Sequence, residues 1–154
     1  ELSEAVKERR QVIINYRRAV LDDKVVERTL QPVGIMFSEF YFYLIAFSVD
    51  PETNVPVVFR IDRIENLKVS KEKFIVPYKD KFKDGEFRKR IQFMYGGKLQ
   101  KTKFKYCGKS IEAVLDRLPT AKIISEENGI YTIEAETFGS GIDMWLKSQG
   151  NHIR

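Results

Sequence analysis

The sequence predicts an α+β protein of two small domains. The first is an SH3- or Sm-like β-barrel entered through an N-terminal helix, and the second is a ferredoxin-like α+β domain. Three observations carry this reading. The run Phe40-Tyr41-Phe42-Tyr43-Leu44-Ile45-Ala46-Phe47 is too apolar and too short for anything but a buried strand. The rest of the first 78 residues breaks into strand-length segments separated by turn residues. The second half then reads β-turn-β, helix, strand, strand, helix, which is the order of a split β-α-β sandwich.

Each element has a local reason. Leu2, Ala5 and Val6 share one side of a helix over 2–9, with Ser3 placed to cap its first turn. From Gln11 to Arg17, Val12, Ile14 and Tyr16 alternate against Ile13, Asn15 and Arg17, which is a strand. Asp22-Asp23 makes a turn. Val25 to Phe37 is a long strand bent at Pro32-Val33-Gly34, because proline cannot donate to a ladder and glycine permits a sharp bend. Ser38-Glu39 turns into the aromatic strand, and Asp50-Pro51-Glu52-Thr53-Asn54 is a turn by composition. Val55 to Ile61 returns as a strand, and Arg63 to Leu67 reads as a short helical turn. The domain so formed spans 1–78.

Between 79 and 87 the apolar pattern lapses and charge rises, which marks a linker. The second domain, 88–154, opens with an alternating strand from Arg88 to Tyr95. Gly96-Gly97 signals a loop, and a second strand runs from Thr102 to Tyr106. Ser110 to Leu118 is an amphipathic helix stopped by Pro119. Ala121–Ser125 and Ile130–Thr137 form a hairpin about Asn128-Gly129, the strongest short turn signal. Ser140 to Gln149 is a last helix with Ile142, Trp145 and Leu146 on its buried side and Gly150 as its stop. The final strand of such a sandwich begins near Asn151, where the sequence ends, so the domain reads as truncated.

Composition narrows the function classes. An apolar content of 43% supports real cores, and the longest apolar run, Phe40 to Val49, is half of a bilayer span. The sequence opens on Glu1-Leu2-Ser3-Glu4 with no leader-like segment, which points to a soluble, cytoplasmic protein. Residues 1–78 carry twelve Lys/Arg against twelve Asp/Glu, whereas 79–154 carry fifteen against ten and hold the whole net charge of +5. Eleven basic and three acidic side chains fall between Lys79 and Lys109. Such a cluster is either a nucleic-acid-facing surface or the solvated face of a hairpin.

Catalytic signals are poor. With the single histidine His152 near the end and the single cysteine Cys107, one chain assembles no His-based triad, no two-histidine metal site and no zinc cluster. Ser70-Lys71-Glu72-Lys73 fits Ser-x-x-Lys without the partner motifs of acyl-enzymes. Gly139-Ser140-Gly141 lacks the third glycine of a dinucleotide loop, Met144 standing there, and is better explained as a helix N-cap. The expectation is a protein that is not an enzyme and uses no metal or cofactor.

Binding signals are better. Arg60 and Arg63 flank the end of a strand, and Arg28 lies in Glu27-Arg28-Thr29-Leu30-Gln31-Pro32. Alternation places Tyr41, Tyr43, Ile45 and Phe47 on one face of the aromatic strand and Phe40, Phe42, Leu44 and Ala46 on the other. Tyrosine rings and guanidinium forks converging on one patch suit an anionic, planar ligand. The competing reading pairs Arg60 and Arg63 with Asp62, Glu27 or Glu65 as structural ion pairs.

The succession Ile14-Asn15-Tyr16-Arg17, Arg28-Thr29-Leu30-Gln31-Pro32-Val33-Gly34, Phe42-Tyr43-Leu44-Ile45-Ala46-Phe47 and Phe59-Arg60-Ile61-Asp62-Arg63-Ile64 resembles the WYL domain of bacterial transcriptional regulators. The naming tripeptide falls on Phe42-Tyr43-Leu44, with phenylalanine in place of tryptophan, so an aromatic plate is kept and the indole donor is lost. The second half, with Trp145-Leu146 before Gly150, is similar to the C-terminal extension that follows such domains. The resemblance implies an effector-binding, dimerising module whose ligand patch comprises Tyr16, Arg28, Tyr43, Arg60 and Arg63. Its expected ligand is an anionic small molecule or single-stranded nucleic acid, with Lys98, Lys101, Lys103 and Lys105 adding basic contacts. The resemblance further implies a homodimer, and promoter DNA bound through a helix-turn-helix that these 154 residues do not contain. An alternative is a stand-alone, sequence-tolerant single-strand binder. Phe42 and Leu44 are expected in the core, and Tyr43 is the ring to test.

Overall fold

A computed structural model describes residues 1–18, 24–50, 54–79 and 81–153. The chain divides into two compact units, Glu1–Lys81 and Phe82–Arg154, both of mixed α+β architecture. The expected turn at Asp22-Asp23 and the centre of the turn at Pro51-Glu52-Thr53 lie outside the described residues. No helix among the described residues is long and apolar enough to cross a membrane.

The first unit is helix α1 (Leu2–Glu8), strands β1 (Arg10–Arg18), β2 (Lys24–Ser38), β3 (Tyr41–Ser48) and β4 (Pro56–Arg60), a 3-10 turn η1 (Ile61–Arg63), and β5 (Ile64–Lys73). All neighbours are antiparallel in the order β4-β3-β2-β1-β5. Strand β2 is long enough to serve two partners: its first half pairs with β1 and its second half with β3. The change of partner coincides with a bulge at Pro32-Val33-Gly34, where the register steps from Pro32↔Ala46 to Gly34↔Ile45 and Val33 is the extra residue.

Burying Val12, Ile14, Leu30, Leu44 and Ala46 on one face builds the core, and Ala5 of α1 closes over it. Each large side chain in this set contributes about 1.5–3 kcal/mol of transfer free energy.

β4 and β5 stand at the two edges of the sheet, and no ladder joins them among the described residues. Several expectations are corrected here. Ile61–Arg63 turns the chain at once into β5, which registers on β1, so Arg63–Leu67 is strand rather than helical turn. Ser3 makes no cap; Glu1 stands at the N-cap of α1 with no side-chain cap bond. Phe42 is not in the core. It is 57% exposed while Leu44 is 0%, because the β2–β3 hairpin runs on beyond the last β4 partner, Tyr43↔Arg60, and nothing among the described residues covers its tip. There Phe42 packs edge-on against Phe37 at 4.9 Å, and Phe40 is 84% exposed.

The second unit holds α2 (Asp84–Lys89), β6 (Leu99–Tyr106), α3 (Ile111–Arg117), β7 (Lys122–Glu127), β8 (Ile130–Phe138), α4 (Gly141–Ser148) and a closing 3-10 turn, η2 (Gly150–His152). Its sheet has the order β6-β8-β7, and Ile153 forms an antiparallel bridge to Tyr106 on the free side of β6. The turn between β7 and β8 is Asn128-Gly129, both at positive φ (54° and 78°), as a two-residue hairpin requires. Phe104, Tyr106, Ile133 and Ala135 face α3 and α4 through Val114, Leu118 and Ile142, with Trp145 packed against the cluster.

The expected strand Arg88–Tyr95 is instead the end of a helix followed by a turn, and the expected linker 79–87 contains that helix's start. Phe87 and Ile91 are both buried at helical spacing, and Asp84 with Glu86 opens α2 while Arg88 with Lys89 closes it, matching the helix dipole. Phe93 and Met94 then take positive φ, which no strand allows. Arg90 pins this segment to the sheet. Its Nε donates to Glu136 Oε1 at 2.6 Å, and its Nη1 donates to the Glu86 backbone oxygen at 2.8 Å. Burial pulls the Arg90 guanidinium down, and the bonds to Glu136 and Glu86 more than restore it.

Gly139-Ser140-Gly141 is a packing device rather than a cap. Ser140 makes no side-chain cap bond, and a Cβ on Gly139 (φ 77°) would lie 2.4 Å from the Gly96 carbonyl oxygen.

Candidate ligand-binding site

The site begins in the β3–β4 ladder. Tyr43 stands directly across from Arg60, and Tyr41, two residues earlier, lies on the same face. Along that face Ile45 and Phe47 are buried, with Phe47 near the Tyr78 ring (6.3 Å), so the apolar cover ends and the tyrosines come into the open at Tyr43 and Tyr41. The Arg60 guanidinium lies over the Tyr41 ring, its Cζ 3.6 Å from the centroid.

Beyond Arg60 the chain enters η1, and that tight turn returns Asp62 to the Arg60 side chain. Nε donates to Asp62 Oδ1 at 2.9 Å and Nη2 donates to Oδ2 at 2.5 Å, a parallel two-point pairing. The hydrogen bond with Asp62 raises the Arg60 guanidinium above its ordinary value, and the same bond holds the Asp62 carboxyl below the usual carboxylate range. The charge of Arg63 lowers Asp62 further. Both cations thus favour the ionised form of Asp62.

Tyr16 supports the site from the opposite face. Its ring packs edge-on against Phe59 at 4.9 Å, and its hydroxyl accepts the Arg60 backbone N–H at 3.1 Å. Tyr16 therefore positions Arg60 from inside the core. Arg28 is not brought to the tyrosines. The register Ile14↔Arg28 and Val12↔Leu30 puts it on the face of Ile14 and Leu30, whereas Tyr43 and Arg60 occupy the other face. Arg28 Nη1 donates locally to the Glu27 backbone oxygen at 3.0 Å. Of the carboxylates weighed as structural partners, Asp62 takes Arg60 and Glu65 takes Arg17 (2.9 Å).

Two residues outside the expected patch belong to it, Tyr41 and Asp62. The alternation of the aromatic strand already placed Tyr41 beside Tyr43, which was the available signal. Asp62 was visible only as a neutralising neighbour, since its return depends on a 3-10 turn where Arg63–Leu67 suggested a later helical one.

The lysines of the second unit sit in a different setting. Lys101 and Lys103 face Glu136 and Glu134 across the β6–β8 ladder, Lys105 faces Thr132, and Lys122 meets Glu134 from β7. Lys101 Nζ comes within 3.9 Å of Glu134. A shallow groove is lined by Lys103, Phe104, Lys105, Ile130 and Thr132. Lys98 precedes β6 and is exposed, its backbone oxygen accepting from Gly139 N at 2.8 Å. Among the described residues no three His, Cys, Asp or Glu side chains gather as a metal site would require. Cys107 donates its thiol to the Asn151 backbone oxygen at 3.3 Å.

No curated protein sequence matches the chain. Among solved structures it is similar to proteasome accessory factor B/C (PafBC) of Arthrobacter aurescens, at 17% identity and a TM-score of 0.46. That match covers 99% of this chain and 23% of the other, so the chain spans about a quarter of that protein's length. The family model described as "WYL domain" matches residues 1–69, the stretch that holds Tyr16, Tyr41, Tyr43, Arg60, Asp62 and Arg63. Residues 1–69 of this chain are thus similar to WYL domains.

Proposed function

We propose that the chain is the effector-binding and dimerisation region of a bacterial transcriptional regulator and that it binds an anionic ligand such as a nucleotide or single-stranded nucleic acid. The observation that carries the reading is the Arg60 guanidinium, held flat on Tyr41, tied to Asp62 and set beside Tyr43 on an open face of a WYL domain. Holding a long cationic side chain in one orientation costs conformational entropy. A surface arginine held by both a ring and a carboxylate has part of that cost met before any ligand arrives, which favours binding. Tyr43 offers a ring and a hydroxyl, and Arg63 offers further positive charge.

In this reading the five-stranded sheet is an Sm-like barrel whose β4–β5 seam carries no ladder among the described residues, and 82–154 is a ferredoxin-like domain in which Ile153 marks the fourth strand. The second unit mediates a homodimer, promoter DNA is held by a helix-turn-helix elsewhere in the protein, and the protein works in the cytoplasm. The site orients a ligand and catalyses nothing. The alternative, a stand-alone single-strand binder using Lys98, Lys101, Lys103 and Lys105 as a track, is weakened by the glutamates opposite Lys101 and Lys103.

Titration calorimetry of the 154-residue chain with nucleoside monophosphates and short single strands tests the reading. Arg60→Ala and Arg63→Ala are each expected to weaken binding about tenfold or more with the circular dichroism unchanged. Variants that bind as well as wild type would remove the site.

A further inference from the structure

A guanidinium carries five N–H donors arranged as two forks, one along the Nε–Nη2 side and one at the Nη1–Nη2 end. In Arg60 the side fork is filled by Asp62 Oδ1 and Oδ2, and one flat face is covered by Tyr41. Three donors are left, two on Nη1 and one on Nη2, with no partner among the described residues. One N–H of Nη1 and the remaining one of Nη2 form the end fork, and the two contacts that hold the rest of the group fix its orientation.

The charges are divided in a way that bears on the ligand. Arg60 meets any ligand already compensated by a carboxylate at hydrogen-bonding distance. Arg63, the residue that follows Asp62, has no hydrogen-bonded carboxylate among the described residues. A phosphate is drawn most strongly by uncompensated charge. A neutral base edge instead needs two coplanar donors at fixed spacing, which is what a buttressed end fork supplies. Guanine presents two adjacent acceptors, O6 and N7, on the edge away from its sugar, and arginine binds this pair bidentately. Adenine presents N7 beside an N6 donor, which opposes a fork of donors. Cytosine has an acceptor pair at O2 and N3, but O2 adjoins the nitrogen that bears the sugar, and the ribose crowds that approach.

We propose that the ligand of this site is a guanine base, its O6 and N7 held by the Nη1–Nη2 fork of Arg60, in a nucleotide or single strand whose phosphate is attracted by Arg63. The inference rests on the reading of this face as a nucleotide-binding site and names the base that it selects. Asp62 is then a specificity device: it orients the fork and reduces the pull of Arg60 on phosphate alone.

Calorimetry of the 154-residue chain at fixed salt with GMP, AMP, CMP, UMP, ribose 5-phosphate and 7-deaza-GMP tests it. GMP is expected to bind on the order of tenfold more tightly than the other three nucleotides, and removal of N7 in 7-deaza-GMP to abolish that preference. Arg60→Lys keeps the charge and loses the fork, so it is expected to bring GMP down to the level of AMP while ribose 5-phosphate is unaffected. Arg63→Ala is expected to weaken every phosphate-bearing probe alike. Circular dichroism of both variants checks the fold. An oligothymidine with two guanines, set against the same strand with adenines, separates the sources: a guanine strand far tighter than GMP identifies a strand as ligand, and GMP at least as tight identifies the free nucleotide. Four mononucleotides binding within twofold of one another, or CMP equalling GMP, would overturn the guanine assignment and leave an anion site standing. Binding of none of these probes would overturn the nucleotide reading itself.

Discussion

The Tyr16 hydroxyl accepts the backbone N–H of Arg60 at 3.1 Å, so the last residue of β4 is anchored from the core face while its side chain serves the opposite face. Both ends of that contact are part-buried, and Phe59 holds the Tyr16 ring edge-on beneath it. Tyr16→Phe keeps the ring and strips the acceptor. It is expected to lower stability by about 1 kcal/mol, because the Arg60 N–H is left without its partner. In urea the midpoint should fall with the slope unchanged. Ligand affinity should fall with it, by about threefold or more, whereas a Tyr16 that merely filled space would give a variant indistinguishable from wild type.

The Arg60–Asp62 pairing sets a pH dependence of defined sign. Asp62 has a lowered pKa in the folded chain, chiefly through its bond to Arg60. A carboxylate lowered on folding stabilises the folded state above its ordinary range, about pH 4, and that contribution fades as pH falls through the depressed value. The pairing is therefore intact at neutral pH and opens only in acid. Carboxyl chemical shifts followed by NMR are expected to show Asp62 titrating below an ordinary aspartate in wild type and returning to the ordinary range in Arg60→Ala. An Asp62 midpoint that does not move when Arg60 is removed would show that the bond is not what lowers it.

How much of this was legible in the sequence follows from which interactions are local. The bend at Pro32-Val33-Gly34 and the Asn128-Gly129 hairpin are written in single residues whose backbone preferences leave few options, and they appear where expected. Arg88 to Tyr95 alternates as a strand would, yet Phe87 and Ile91 at helical spacing and the Arg90–Glu136 bond from 46 residues away decide the outcome. Phe42 looked like core because hydrophobicity says what a residue prefers, not how far a neighbouring strand extends to cover it. In the site, Tyr43 and Arg60 were readable from alternation and strand ends. The separation of Arg28 from them was not, because it depends on pairings of β2 with both β1 and β3, which only the folded sheet fixes.

Two neighbours on one face of β3 test that account of the hairpin. Leu44 is fully buried under α1 and the β4 side chains, so Leu44→Ala is expected to cost about 2–5 kcal/mol through lost burial and the cavity left behind. Phe42 extends beyond the covered part of the sheet, and Phe42→Ser is expected to change stability by no more than about 0.5 kcal/mol. Chemical denaturation of the two variants side by side decides the matter. A Phe42→Ser loss comparable with that of Leu44→Ala would mean that the tip is packed in solution.

The lysine-bearing strand β6 provides the remaining contrast. If Lys103 and Lys105 track a nucleic-acid backbone, each phosphate contact they make adds about 0.7 to the slope of log affinity against log salt for a single strand. Replacing both by glutamine would then flatten the slope by about 1.4, and affinity at low salt would fall steeply. The ladder puts Lys103 across from Glu134, so part of its field is already met within the sheet, and Lys105 stands opposite an uncharged threonine. A ligand held at Arg60 and Arg63 is indifferent to both. The double variant is therefore expected to keep the wild-type salt slope to within about 0.3 for a short oligonucleotide. Fluorescence anisotropy at several salt concentrations measures that slope directly, and a decrease near 1.4 would assign binding to the lysine strand instead of the tyrosine–arginine face.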